Sequence, residues 1–198
     1  MTLKFPPGEF DAFIFDCDGT LIDSMPLHLT AWRAALEEHG FISAQFTDQM
    51  HQVYAGMPGP AIVKLVNDQF GTRLDPDGVE ASKLKWYLAH HHTVQPVQEV
   101  VDVVHAHAGR KPMAVASGSD ATIVKDGLRA IGILDLFETV ITPADVALGK
   151  PAPDMFLLAA ERMGVQPERC LVFEDGLLGI KAAEAAGMAH VFVPAVWS

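Results

Sequence analysis

The chain has 198 residues, 49 % of them apolar and 20 % charged, which is enough for one domain with a full core and a modest insertion. Twenty-five acidic residues against 14 basic ones give a net charge of −11. That balance argues against a nucleic-acid surface and requires any anionic ligand to be met by local positive charge.

The stretch Met1–Phe10 reads as neither a signal peptide nor a membrane span, and no later segment approaches a spanning helix. The two cysteines, Cys17 and Cys170, lie in apolar runs, so a cytoplasmic protein without a disulfide framework is expected.

In chain order, Ala12–Phe15 is the first short apolar run and reads as a strand buried on both faces. From Asp23 to about His92 no strand is expected, only helical stretches. Pro26–His39 places Leu29, Trp32 and Leu36 on one stripe, and Ala61–Phe70 and Val79–Leu88 follow beyond the breakers at 56–60 and 75–78. The run His90-His91-His92 reads as a polar hinge. Beyond it, helical patterns at Val97–His107, Ala121–Ile131, Asp154–Met163 and Leu177–Ala186 alternate with apolar runs. The runs are Met113–Ala116, the weaker Phe137–Ile141, Cys170–Phe173 and His190–Val193. Gly132, Gly164 and Gly187 are expected to end the last three helices. Alternation of this kind predicts a doubly wound parallel sheet, an α/β fold with a helical insertion after its first strand.

Four features carry chemistry. The first strand delivers Asp16-Cys17-Asp18-Gly19-Thr20, two carboxylates at i and i+2 that repel each other unless protonated or bridged by a cation. One such carboxylate can attack phosphorus while the other shuttles a proton. The second run ends in Ser117-Gly118-Ser119 before a helix, which suits phosphate oxygens. In Gly149-Lys150-Pro151-Ala152-Pro153-Asp154 a lysine can offer a point charge, and Phe173-Glu174-Asp175-Gly176 supplies hard oxygen ligands for Mg²⁺. Each feature alone has an ordinary alternative: an Asx turn, a helix N-cap, a solvated lysine, acidic capping of the next helix. Their joint placement at strand ends favours a site.

Asp-x-Asp, then Ser, then Lys, then Glu-Asp is an order in which the chain resembles the haloacid dehalogenase-like hydrolase superfamily over essentially its whole length. The helical insertion resembles the cap of the β-phosphoglucomutase and sugar-phosphate phosphatase branch. Members acting on fructose 1-phosphate look nearest, including at 109–115 and 162–167. The resemblance implies a Rossmann-like, haloacid dehalogenase-type core at 1–22 and 93–198, with an α-helical cap at 23–92. It implies Mg²⁺-dependent hydrolysis of a small phosphorylated metabolite, such as a sugar phosphate, through an aspartyl-phosphate on Asp16. Asp18 would be the general acid/base, and Ser117, Gly118, Ser119, Lys150 and His28 would contact the substrate or its phosphate. Asp16, Asp18 (through its backbone carbonyl), Glu174 and Asp175 would hold the metal.

Two departures bear on substrate. The loop Gly56-Met57-Pro58-Gly59-Pro60 lacks the arginine of the mutase, and Asp120-Ala121 stands where the mutase has Lys-Asn. Hydrolysis is therefore expected over mutase chemistry, with a metal-free dehalogenase and a non-catalytic binding module as further alternatives. Specificity is expected in the loop 54–60, and a monomer is expected, although Val196-Trp197 could be core, interface or tail.

Overall fold

The computed structural model describes residues 2–54 and 57–194; Gly56 of the specificity loop and Val196-Trp197 lie outside the described residues. The chain divides into two compact units, Met1–Ser24 with Thr93–Ser198, and Met25–His92. The elements begin with β1 (Ala12–Phe15), β2 (Ile22–Asp23), α1 (Met25–Glu38), α2 (Asp48–Tyr54), α3 (Gly59–Phe70) and α4 (Pro76–His90). They continue with β3 (Gln95–Pro96), α5 (Gln98–His107), β4 (Met113–Ala116), α6 (Ala121–Ala130), β5 (Thr139–Ile141) and α7 (Asp154–Met163). β6 (Cys170–Glu174), α8 (Leu177–Ala185) and β7 (Ala189–Phe192) complete the order. Among the described residues no helix is long and apolar enough to cross a membrane.

The first unit is a five-stranded sheet in the order β5-β4-β1-β6-β7, with every pairing parallel. From β1 the chain builds outward through β4 to β5, then returns past β1 to β6 and β7. The winding therefore reverses at β1, and open α/β sheets bind ligands beyond the C-terminal strand ends at such a point. Side-chain alternation along β1 serves both faces. Ala12 and Ile14 join a core containing Met155 and Phe156 of α7. Phe13 and Phe15 point the other way, Phe13 edge-on to His107 of α5 and Phe15 stacked on Phe173 at 4.7 Å between centroids. A sheet covered on both sides explains why its strands are uninterrupted apolar runs rather than alternating ones.

Strand boundaries shift only slightly from expectation. β6 extends through Glu174, and β7 starts one residue early, at Ala189. Gly164 ends α7 in the left-handed conformation, at φ 69°. One feature was not anticipated: β2 pairs antiparallel with β3, Ile22 opposite Pro96 and Asp23 opposite Gln95. Asp23, expected to open the helical segment, instead closes a ribbon belonging to the sheet unit. Two-residue strands are too short to show alternation, so nothing in the sequence reveals them.

Among its described residues the second unit packs four α-helices around Trp32, Leu36, Phe46, Val63, Val66 and Val79. Leu29 of the expected α1 stripe lies partly buried against this core. The histidine run, expected as a polar hinge, lies at the end of the second unit. His90 ends α4 with its ring stacked on Trp86 at 4.0 Å, and 91–93 continue as a 3-10 turn.

Candidate active site

The site forms where β1, β4 and β6 end side by side. Asp16 follows β1 directly, and its backbone N–H donates to Phe173 O at 2.9 Å, so the sheet register carries on into the site. The chain then turns sharply: the Cys17 carbonyl accepts from the N–H groups of Thr20, Leu21 and Ile22. Gly19 makes this turn at φ +86°, a conformation L side chains rarely adopt. A Cβ there would also collide with the Asp175 carboxylate.

Three groups of contacts define the centre. Lys150 Nζ lies 2.6 Å from Asp16 Oδ1 and 2.6 Å from Glu174 Oε2, bridging the ends of β1 and β6. Glu174 Oε1 accepts from Gly176 N at 3.0 Å, and Thr20 Oγ1 donates to Asp175 Oδ1 at 3.1 Å. Asp18 faces different partners. Ser24 Oγ donates to its Oδ1 at 2.7 Å, and Ser119 Oγ to its Oδ2 at 2.6 Å. Ser119 N in turn donates to Ser117 Oγ at 3.1 Å.

Neither serine caps α6, because Asp120 does so by accepting from Thr122 N at 2.8 Å. The ordinary N-cap explanation for Ser117 and Ser119 is thereby removed. Lys150 is likewise not a solvated surface lysine; its side chain is 11 % exposed, and its peptide bond to Pro151 is cis.

The electrostatics follow from crowding. Burial, and then the neighbouring Glu174, push the Asp16 carboxyl well above the usual carboxylate range. The same two causes, burial first, raise Asp175 to about 7. Burial works against the Lys150 ammonium, but Asp16 and Glu174 outweigh it and hold its pKa above the ordinary value. Three carboxylates therefore share a buried space with a lysine that contacts two of them, and the space is short of positive charge. Asp16, Glu174 and Asp175 present ligand oxygens all within 4.8 Å of one another. Hard oxygen donors in excess of their counter-charge fit a divalent cation.

The structure thus brings together Asp16, Asp18, Ser117, Ser119, Lys150, Glu174 and Asp175. Gly118 sits among them with its backbone exposed and open space beside its Cα. Ser119, expected among the phosphate-binding groups, donates its hydroxyl to Asp18. His28 belongs to α1 of the other unit, where its ring stacks on Tyr87 at 4.2 Å. Two contributors escaped the sequence reading. Ser24 carried no signal at all, while Thr20 was in plain view within the first motif but without an assigned partner.

Comparison with known proteins places these residues in a wider setting. The family model for haloacid dehalogenase-like hydrolases matches residues 10–187. The fructose-1-phosphate phosphatase YqaB of Escherichia coli is 40 % identical over 186 residues, covering 93 % of this chain and 97 % of that protein. A phosphorylated carbohydrates phosphatase of Thermotoga maritima is 27 % identical, covering 92 % of this chain and 84 % of its own. Among solved structures, a haloacid dehalogenase-like protein of Agrobacterium tumefaciens superposes with a TM-score of 0.78 at 29 % identity, covering 91 % of this chain and 81 % of that one.

Proposed function

The chain belongs to the haloacid dehalogenase-like hydrolases, and from that membership we propose that it is a Mg²⁺-dependent phosphatase of small phosphorylated sugars, with fructose 1-phosphate the first candidate. One observation carries the reading: a buried lysine holds Asp16 at the end of the central strand, while Asp18, two residues on, is held by two hydroxyls. Two adjacent carboxylates in such different surroundings are suited to two different tasks.

In the first half-reaction a carboxylate oxygen of Asp16 forms a bond to phosphorus as the ester P–O bond breaks. Asp18 gives its proton to the departing alkoxide. In the second, water transfers a proton to Asp18 and attacks the acyl phosphate, releasing inorganic phosphate and restoring Asp16. Ser117, the Gly118 backbone N–H and Lys150 are assigned to the oxygens of the transferring group. Ser24 and Ser119 orient Asp18 for both proton transfers. Mg²⁺ on Asp16, Asp175 and the Asp18 carbonyl, with Glu174 direct or through water, would neutralise charge on the phosphate. His28 is assigned a role toward the substrate on the resemblance alone.

The test is phosphate release from sugar phosphates, phosphoglycolate and nucleoside monophosphates, with Mg²⁺, with EDTA and with Asp16→Asn. Metal-dependent turnover that vanishes in Asp16→Asn is expected, with fructose 1-phosphate among the best substrates. Turnover unaffected by Asp16→Asn refutes the mechanism, and silence across the panel refutes the activity.

A further inference from the structure

α8 opens Leu177-Leu178-Gly179-Ile180, and Gly179 in its first turn is buried. Its backbone is ordinary helix, so no left-handed conformation requires glycine there. Helix propensity alone favours alanine at such a position. The reason for glycine lies in space. A Cβ at 179 would come closer than 3.0 Å to Cγ, Cδ and Oε2 of Glu174.

A long side chain can often step away from such a collision, but Glu174 has little freedom to do so. It is 3 % exposed, one carboxylate oxygen accepts from Gly176 N, and the other holds Lys150 at 2.6 Å. Moving its end means releasing one or both contacts. Lys150 would then keep Asp16 without its second anchor.

We propose that Gly179 is a positioning residue, whose missing side chain is the seat that lets Glu174 fasten Lys150 against Asp16. Its effect on turnover rests on the phosphatase reading above; its effect on geometry does not. Gly179 also separates two effects that are merged at Gly19. There a substitution strains the backbone as well as meeting Asp175, whereas at 179 the backbone is unstrained and the nearest collision is with the Glu174 side chain.

The experiment compares parent, Gly179→Ala, Glu174→Ala and the double variant by thermal melting, crystal structure and steady-state kinetics on the best phosphate ester. Gly179→Ala is expected to fold but to melt below the parent, because the gain in helix propensity does not offset a released buried ion pair. Its crystal structure should show Glu174 turned aside and the Lys150–Glu174 contact broken. Its kcat should fall about 10- to 100-fold, the range typical when a residue supporting a site ligand is lost, with KM changed less. The double variant should match Glu174→Ala alone, because the three atoms nearest that Cβ all belong to the part of Glu174 that is removed. If Gly179→Ala fails to fold, recovery of folding in the double variant supports the seat, and failure there overturns it. A retained Lys150–Glu174 contact with parental kcat, or losses that simply add in the double variant, also overturn it. A parent without phosphatase activity would remove the proposed function while leaving the crystal and melting comparisons to decide on Gly179.

Discussion

Replacing Lys150 by methionine gives the most direct test of how the site is held together. The ammonium is nearly buried and lies 2.6 Å from each of two buried carboxylates. Removing one partner of a buried ion pair generally costs about 3–5 kcal/mol. The loss is capped, because an abandoned carboxylate can escape by taking up a proton. For a group that ionises near 3.9 when unfolded, protonation at pH 7 costs about 4 kcal/mol, at 1.36 kcal/mol per unit. Both estimates agree at roughly 4 kcal/mol, or a fall of about 10 °C in melting temperature for a unit of this size. A carboxyl whose folded pKa is raised contributes stability in acid that is lost as pH rises through that pKa. The gap between Lys150→Met and parent should therefore shrink to about 1–2 kcal/mol at pH 5 and widen again toward neutrality. Urea unfolding in EDTA at several pH values measures it. A gap below about 1 kcal/mol at pH 7, or one that is flat with pH, would refute the view that Lys150 neutralises this cluster.

Three further outcomes are expected. Ser24→Ala and Ser119→Ala each remove one hydrogen bond to Asp18, of a kind worth about 1.5–3 kcal/mol, and should lower kcat about tenfold or more with an unchanged circular dichroism spectrum; parental kcat in both would show that Asp18 needs neither. In the helical unit, burial first and then His28 lower His51 from 6.5 to about 4. The unfolded chain binds this proton and the folded one does not, so up to about 3 kcal/mol of stability present above pH 6.5 should disappear by pH 4. His51→Gln should flatten that part of the pH profile, and an unchanged profile would contradict the assignment. Lastly, Mg²⁺ should raise the melting temperature of the parent, and Asp175→Asn should abolish the rise; an equal rise in the variant would place the cation elsewhere.

What the sequence discloses depends on how local each feature is. β1 and β4 were placed to the residue because their two covered faces make them unbroken apolar runs between polar turns. α2 was missed, since Asp48-Gln49-Met50-His51-Gln52-Val53-Tyr54 has no clear stripe. A signal for it did exist: Thr47 Oγ1 accepts from Met50 N at 3.2 Å, a cap legible in principle from the threonine. The site divides in the same way. Asp16, Asp18, Lys150, Glu174 and Asp175 lie in short motifs and could be named. That the Ser119 hydroxyl meets Asp18 depends on β4 lying beside β1, a contact across 101 positions. The role of Gly179 depends on which way a glutamate points, and no pattern of residue types encodes that.

The small ribbon of β2 and β3 has a consequence for how such a chain can diversify. The polypeptide leaves the ribbon at Asp23 and re-enters it at Gln95, directly opposite each other. Paired residues in an antiparallel ladder have Cα atoms only about 5 Å apart. A segment attached through two such neighbouring points behaves as a cassette: it can be lengthened, replaced or excised without asking any strand of the parallel sheet to change its partner. A short turn joining Ser24 to Thr93 would close the ribbon into a hairpin. Exchange of the insert would leave the aspartates, the lysine and the serines on the strands and loops that set their spacing.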